Sequence, residues 1–140
     1  GMARAFCQGV ETRQMILNIQ KDLYHLMSEV SASPENAERF RKIDSQRVSW
    51  LELQIEEISE KVEIPKEFIV PGDSLPSAVL DLARTVVRRA ERQIAGLIHT
   101  GAVENRELLR YLNRLSALCF VLELLENQLS GHQIPTLARG

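Results

Sequence analysis

The stretch Ile16-Leu17-Asn18-Ile19-Gln20-Lys21-Asp22-Leu23-Tyr24-His25-Leu26-Met27-Ser28-Glu29-Val30 decides the kind of fold. Ile16, Ile19, Leu23, Leu26 and Val30 recur at spacings of 3, 4, 3 and 4, which stacks them on one stripe of an α-helix. Lys21, Asp22 and Glu29 fall off that stripe and read as a solvated face. The pattern predicts a first long helix over residues 11–31.

The same reading extends along the chain. Ser33-Pro34-Glu35 resembles a cap followed by proline in the first turn, which predicts a short helix over 34–42. Val48, Leu51, Ile55, Ile58 and Val62 repeat the stripe and predict a second long helix over 44–62, with Glu52, Glu56, Glu57 and Glu60 outside it. Pro65 and Pro71-Gly72 then break the pattern into a connecting loop. A third long helix is predicted over 75–100, with Asp73 or Ser74 as cap and Gly101 as terminator. Its expected core stripe is Val79, Ala83, Val86, Ala90, Ile94 and Leu97. A fourth is predicted over 105–129, with Leu108, Leu112, Leu115, Cys119 and Leu122 inward. Strand signals are nearly absent. The expected architecture is all-α: an antiparallel bundle of four main helices over 10–130, followed by a tail, 131–140, without periodicity.

Composition narrows the function classes. The sequence has 140 residues, enough for one domain with a real core, and a formal net charge of −2. That balance offers no general attraction to nucleic acid or to an anionic membrane. No apolar run approaches a membrane span and no signal peptide is read, so a cytoplasmic, reduced setting is expected. Cys7 and Cys119 show no pairing or ligand spacing. His25, His99 and His132 lack any metal-binding arrangement, and no P-loop, GxGxxG or GxSxG motif occurs, so no protein-bound metal is expected.

The unusual stretch is Arg84-Thr85-Val86-Val87-Arg88-Arg89-Ala90-Glu91-Arg92. Arg84, Arg88 and Arg92 are four residues apart and lie above one another on a helix. Their mutual repulsion calls for an anionic neighbour. A Glu-rich helix would serve, as would a polyphosphate gripped by paired hydrogen bonds. Charge runs most often mark ion-paired or solvated faces, and the pattern alone leaves both readings open.

A family resemblance enters with three linked motifs. Phe68-Ile69-Val70-Pro71-Gly72, then Ala83-Arg84-Thr85-Val86 with Arg88-Arg89-Ala90-Glu91-Arg92, then Tyr111-Leu112-Asn113-Arg114-Leu115-Ser116 with Phe120-Val121-Leu122 resemble, in order and spacing, the propanediol-utilisation-type ATP:cob(I)alamin adenosyltransferases. Ile19-Gln20-Lys21-Asp22-Leu23 is similar to the corresponding helix of that family. The resemblance implies a bundle of the cobalamin adenosyltransferase type, assembled as a homotrimer with sites between subunits. It implies ATP with Mg and cob(I)alamin as substrates, the cobalt attacking the 5′ carbon of ATP and expelling triphosphate. It further implies that Arg88, Arg89, Glu91 and Asn113 bind ATP, that Phe68 presses on the lower face of the corrin ring, and that Arg84 sits at a subunit interface.

The family usually opens with a loop resembling Thr-Lys-Thr-Gly-Asp and a helix containing Asp-Glu-Leu-Asn, and neither precedes the first predicted long helix. Asp73, Ala117 and Glu123-Leu124 also stand where a glycine, an aspartate and a run containing arginine are usual. The expectation is an adenosyltransferase-like protein with weakened ATP binding, in which Arg84, without the usual aspartate, contacts a Glu, an Asp, an anion or bulk water instead. The alternative is a non-catalytic relative that binds corrinoid or nucleotide, or serves as an oligomeric scaffold.

Overall fold

Side chains pair between the helices in reversed sequence order, and this fixes the helix directions. The computed structural model describes residues 1–132 and 134–139. Among them lie α1 (Met2–Phe6), α2 (Val10–Ser31), α3 (Ser45–Ser59), α4 (Leu75–His99) and α5 (Glu107–Leu129). Ser74, Arg84 and Glu91 on one side meet Asn127, Glu123 and Asn113 on the other, so α4 and α5 run antiparallel. Asp22 meets both Arg47 of α3 and Tyr111 of α5, while the opening of α2 meets Lys61 and Glu126. The four long helices therefore alternate in direction, as the sequence predicts.

The predicted inward residues of α5 are all buried, and α5 is the central element, burying thirteen of its residues. Leu51 of α3 and Leu108 and Leu118 of α5 are wholly enclosed in the one core cluster. Each such side chain contributes roughly 1.5–3 kcal/mol on removal from water. Local signals set the helix starts. The Asp44 carboxylate accepts from the Arg47 N–H at 3.0 Å. Ser74 caps α4 reciprocally with Ser77, and Pro76 occupies the first turn. Gly101 follows α4 with φ of 81°, a conformation that glycine adopts without steric cost.

Four expectations need correction. Residues 34–42 form only a 3₁₀ turn, Ala37–Phe40, because the segment has no apolar stripe to bury and none of the turn's residues is buried. The five-residue α1 was not foreseen. It is too short to show a period, yet it buries Ala3 and leads to the buried Cys7. Val86 lies outside the core, 48% exposed, because Ala83, Val87 and Ala90 take the packed face of α4 at that level.

Asp22 and Glu29, fourth, are buried rather than solvated. Arg47 Nε and NH2 reach the Asp22 carboxylate at 3.1 and 2.7 Å, and the Tyr111 hydroxyl donates to it at 2.7 Å. Burial and that hydrogen bond push the Tyr111 phenol well above its ordinary range, while the carboxylate raises the Arg47 guanidinium. Glu29 accepts from Asn105 at 3.0 Å and lies 3.4 Å from Arg41. Helix α2 is covered on both flanks of its apolar stripe, and polar groups there survive only because they are paired.

Candidate functional site

Two cavities open along α4, and Arg88 lines both. The first, of about 640 Å³, lies between the 65–71 loop and the first half of α4, with Phe68, Ile69, Phe120, Arg84 and Glu123 in its wall. The second, of about 600 Å³, lies among α3, α4 and α5, with Glu91, Arg92, Arg110, Asn113 and Arg114 in its wall. Both volumes fall within the range of small-molecule sites.

The second cavity is cationic. Four arginines face it against Glu52 and Glu91. Glu91 organises its middle: one carboxylate oxygen accepts from Arg88 at 3.0 Å and the other from Asn113 Nδ2 at 2.9 Å. The site thus presents a carboxylate that orients one guanidinium and one amide, with further guanidinium groups around it. Such an arrangement suits a polyanion carrying a hydrogen-bonding head. Arg110 and Arg114 were not singled out from sequence. Their signal was present, since Arg110, Asn113 and Arg114 recur at helical spacing on the start of α5.

The first cavity mixes apolar and charged groups on both sides, Lys66 and Glu67 beside Phe68 on the loop and Arg84 and Glu123 beside Phe120 on the helices. Phe68 is 89% exposed and is therefore no part of the core. Arg84 has found new partners, as expected. Its guanidinium donates to Asp81 at 3.0 Å and lies 3.8 Å from Glu123 Oε1. The longer separation allows attraction without a hydrogen bond, so that Glu123 oxygen is buried and unpaired.

Burial first, and then the neighbouring Asp81 carboxylate, push Glu123 up to about 8, with Arg84 opposing. Cys119, buried beside it, is pushed up to about 12 by burial and then by Glu123. A raised carboxyl makes the folded chain hold a proton that the unfolded chain releases. Its stabilising effect is complete below about 4.5 and is lost as pH rises towards about 8. Glu123→Gln should therefore leave stability near pH 4.5 almost unchanged and raise it by about 2–3 kcal/mol at pH 8.5. Urea unfolding across that range checks this, and equal effects at both ends would contradict it.

Arg89 joins neither cavity. It is exposed on another flank of α4, at helical spacing with the exposed Leu75, Leu82 and Val86. The structure thus brings Arg88, Glu91 and Asn113 together, puts Phe68 and Arg84 around the adjoining cavity, and leaves Arg89 apart. Among the described residues no helix is long and apolar enough to cross a membrane.

Comparison with known proteins bears on the family and the fold. The family profile described as cobalamin adenosyltransferase matches residues 1–126. The corrinoid adenosyltransferase of Bacillus subtilis is 34% identical over 116 residues, which are 83% of this chain and 58% of that protein. The corrinoid adenosyltransferase PduO of Citrobacter freundii is 35% identical over 122 residues, 86% of this chain and 36% of that protein. The chain therefore spans little more than half the length of the first relative and about a third of the second. Among solved structures, a variant PduO-type ATP:corrinoid adenosyltransferase from Lactobacillus reuteri, complexed with cobalamin and ATP, superposes with a TM-score of 0.86 at 29% identity. That match covers 99% of this chain and 77% of the other. With the profile spanning most of its length and these relatives beside it, the chain belongs to the cobalamin adenosyltransferase family.

Proposed function

We propose that the protein transfers the 5′-deoxyadenosyl group from ATP to cob(I)alamin. The observation that carries the reading is the pair of adjoining cavities meeting at Arg88, one aromatic-walled and one cationic. Phe68 and Phe120 offer apolar contact to a corrin face, while Arg88, Arg92, Arg110 and Arg114 suit a triphosphate with its magnesium ion. In the reaction the cobalt electron pair forms the bond to the 5′ carbon. The carbon–oxygen bond breaks, and its electrons leave with the triphosphate. Guanidinium groups aimed at that leaving group stabilise charge as it develops. Glu91 keeps Arg88 and Asn113 in place, which limits the reorganisation needed when ATP arrives.

The unit of function is an oligomer, most simply a homotrimer. Leu75, Leu82 and Val86 are each about half exposed on one face of α4, and Arg89 shares that face. A second copy covering the face would bury the apolar residues and bring Arg89 towards a neighbour's site. An anaerobic spectral assay with cob(I)alamin and Mg-ATP tests the function, beside light scattering for the mass. Adenosylcobalamin should form steadily on a species about three times the chain mass. Corrinoid or nucleotide binding without turnover would favour the non-catalytic alternative, and a monomer at all concentrations would overturn the assembly.

A further inference from the structure

The loop that carries Phe68 has little of its own to hold it. It joins α3 to α4 between two prolines, and Phe68 itself is almost fully exposed. Only Ile69 packs against the core. Yet its backbone is paired. Val70 N–H donates to the Thr136 carbonyl at 2.8 Å, and Ala138 N–H donates to the Phe68 carbonyl at 2.8 Å, with Ile69 opposite Leu137 in an antiparallel bridge.

A ribbon this short is marginal in water without further support. Asp73 supplies it. One carboxylate oxygen accepts from the Thr136 N–H at 2.9 Å and the other from the Thr136 hydroxyl at 2.7 Å. These two bonds hold the Asp73 carboxyl below its ordinary range. Asp73 in turn is firmly seated, because the next residue, Ser74, caps α4 and donates to the buried Asn127 at 2.8 Å. Successive side chains of an extended segment point to opposite faces. The register set by Thr136 and Ala138 keeps Ile69 against the core and Phe68 outward, both in the wall of the cavity that Arg84 and Arg88 share.

We propose that residues 136–138 form a strap that positions the Phe68 loop, with Asp73 and Thr136 as its clasp and hence as positioning residues for the corrinoid side of the site. The aromatic ring is aimed by backbone pairing rather than by packing. This inference rests on the proposed function for its consequence, though the clasp itself can be tested without it.

The experiment compares the full chain with Asp73→Ala, Thr136→Val and Thr136→Ser. Both positions lie at the surface, so the helical bundle should fold in each. Amide exchange at Val70 and Ala138 reads the strap directly, and cobalamin titration in the presence of Mg-ATP reads its consequence. In Asp73→Ala, exchange at both amides should quicken about tenfold and cobalamin affinity should fall about five- to tenfold, with Mg-ATP affinity unchanged. Thr136→Val should fall between that variant and wild type, and Thr136→Ser should restore wild-type behaviour by keeping the hydroxyl. Unchanged exchange in Asp73→Ala would overturn the clasp. Faster exchange with unchanged cobalamin affinity would overturn its positioning role. A wild-type chain that takes up no cobalamin would instead defeat the proposed function, leaving exchange alone to judge the strap.

Discussion

Replacing Arg88 by alanine should cut adenosyl transfer by about 10²–10⁴-fold and weaken Mg-ATP binding, while barely altering stability. Arg88 is half exposed, and its ion pair with Glu91 spans one helical turn, a kind of contact worth only a few tenths of a kcal/mol. Its value to a bound triphosphate is different. Each charge-assisted hydrogen bond to phosphate contributes about 1.5–3 kcal/mol, and a guanidinium can make two at once. Losing both from the leaving group gives the stated factor. Arg88→Lys should recover only part of it, since an ammonium is a point charge without the paired geometry. Calorimetric titration and steady-state rates, with thermal unfolding as control, measure all three quantities. An Arg88→Ala protein with wild-type turnover would remove Arg88 from the site.

The largest loss of stability should come from Asp22→Ala, at about 3–4 kcal/mol. That carboxylate is the shared acceptor of Arg47 and Tyr111, one from each neighbouring helix. Removing it strands a hydroxyl on a tyrosine with no exposed surface and leaves the guanidinium, which also lies 4.5 Å over Trp50, without its anion. Stranding a buried polar group costs about 1–3 kcal/mol, and breaking a buried ion pair costs more. Tyr111→Phe alone should cost only about 1 kcal/mol, because the carboxylate keeps Arg47. The double variant should lose less than the sum of the two, since the stranded hydroxyl is gone. Urea unfolding at fixed protein concentration gives the values. Additive losses would show that the two contacts are independent.

Asp22 also shows where the sequence was legible and where it was not. The apolar stripes gave the four long helices and their alternation, because a period of 3.6 writes itself into residue spacing. Burial of the flanks does not. In a bundle each helix is covered on more than one side, so polar residues beside the stripe become either solvated or enclosed according to which partner chain segment lies over them. Asp22 and Glu29 were read as solvated for that reason. Glu126, whose carboxylate accepts from Gln8 N–H at 2.7 Å, belongs to the same class. The site divided similarly. Arg88, Glu91 and Asn113 were readable as motif positions, and their meeting around one carboxylate follows from the α4–α5 register. The additional arginines of α5 became visible only once two helices were seen to share a cavity. The pairing of 68–70 with 136–138 was invisible throughout, because backbone hydrogen bonds leave no pattern in side-chain identity.

The unequal burial of α4 and α5 bears on how such a protein can change over generations. α5 buries thirteen residues and α4 only five, four of them in its first turns. Most substitutions on α5 must therefore fit a close-packed interior and will be purged through lost stability. Most of α4 escapes that filter within one chain, including the run from Arg84 to Arg92. Two kinds of constraint are built into one hairpin. The packed helix answers to the interior, while the exposed one answers to the ligands and the neighbouring copies proposed for it.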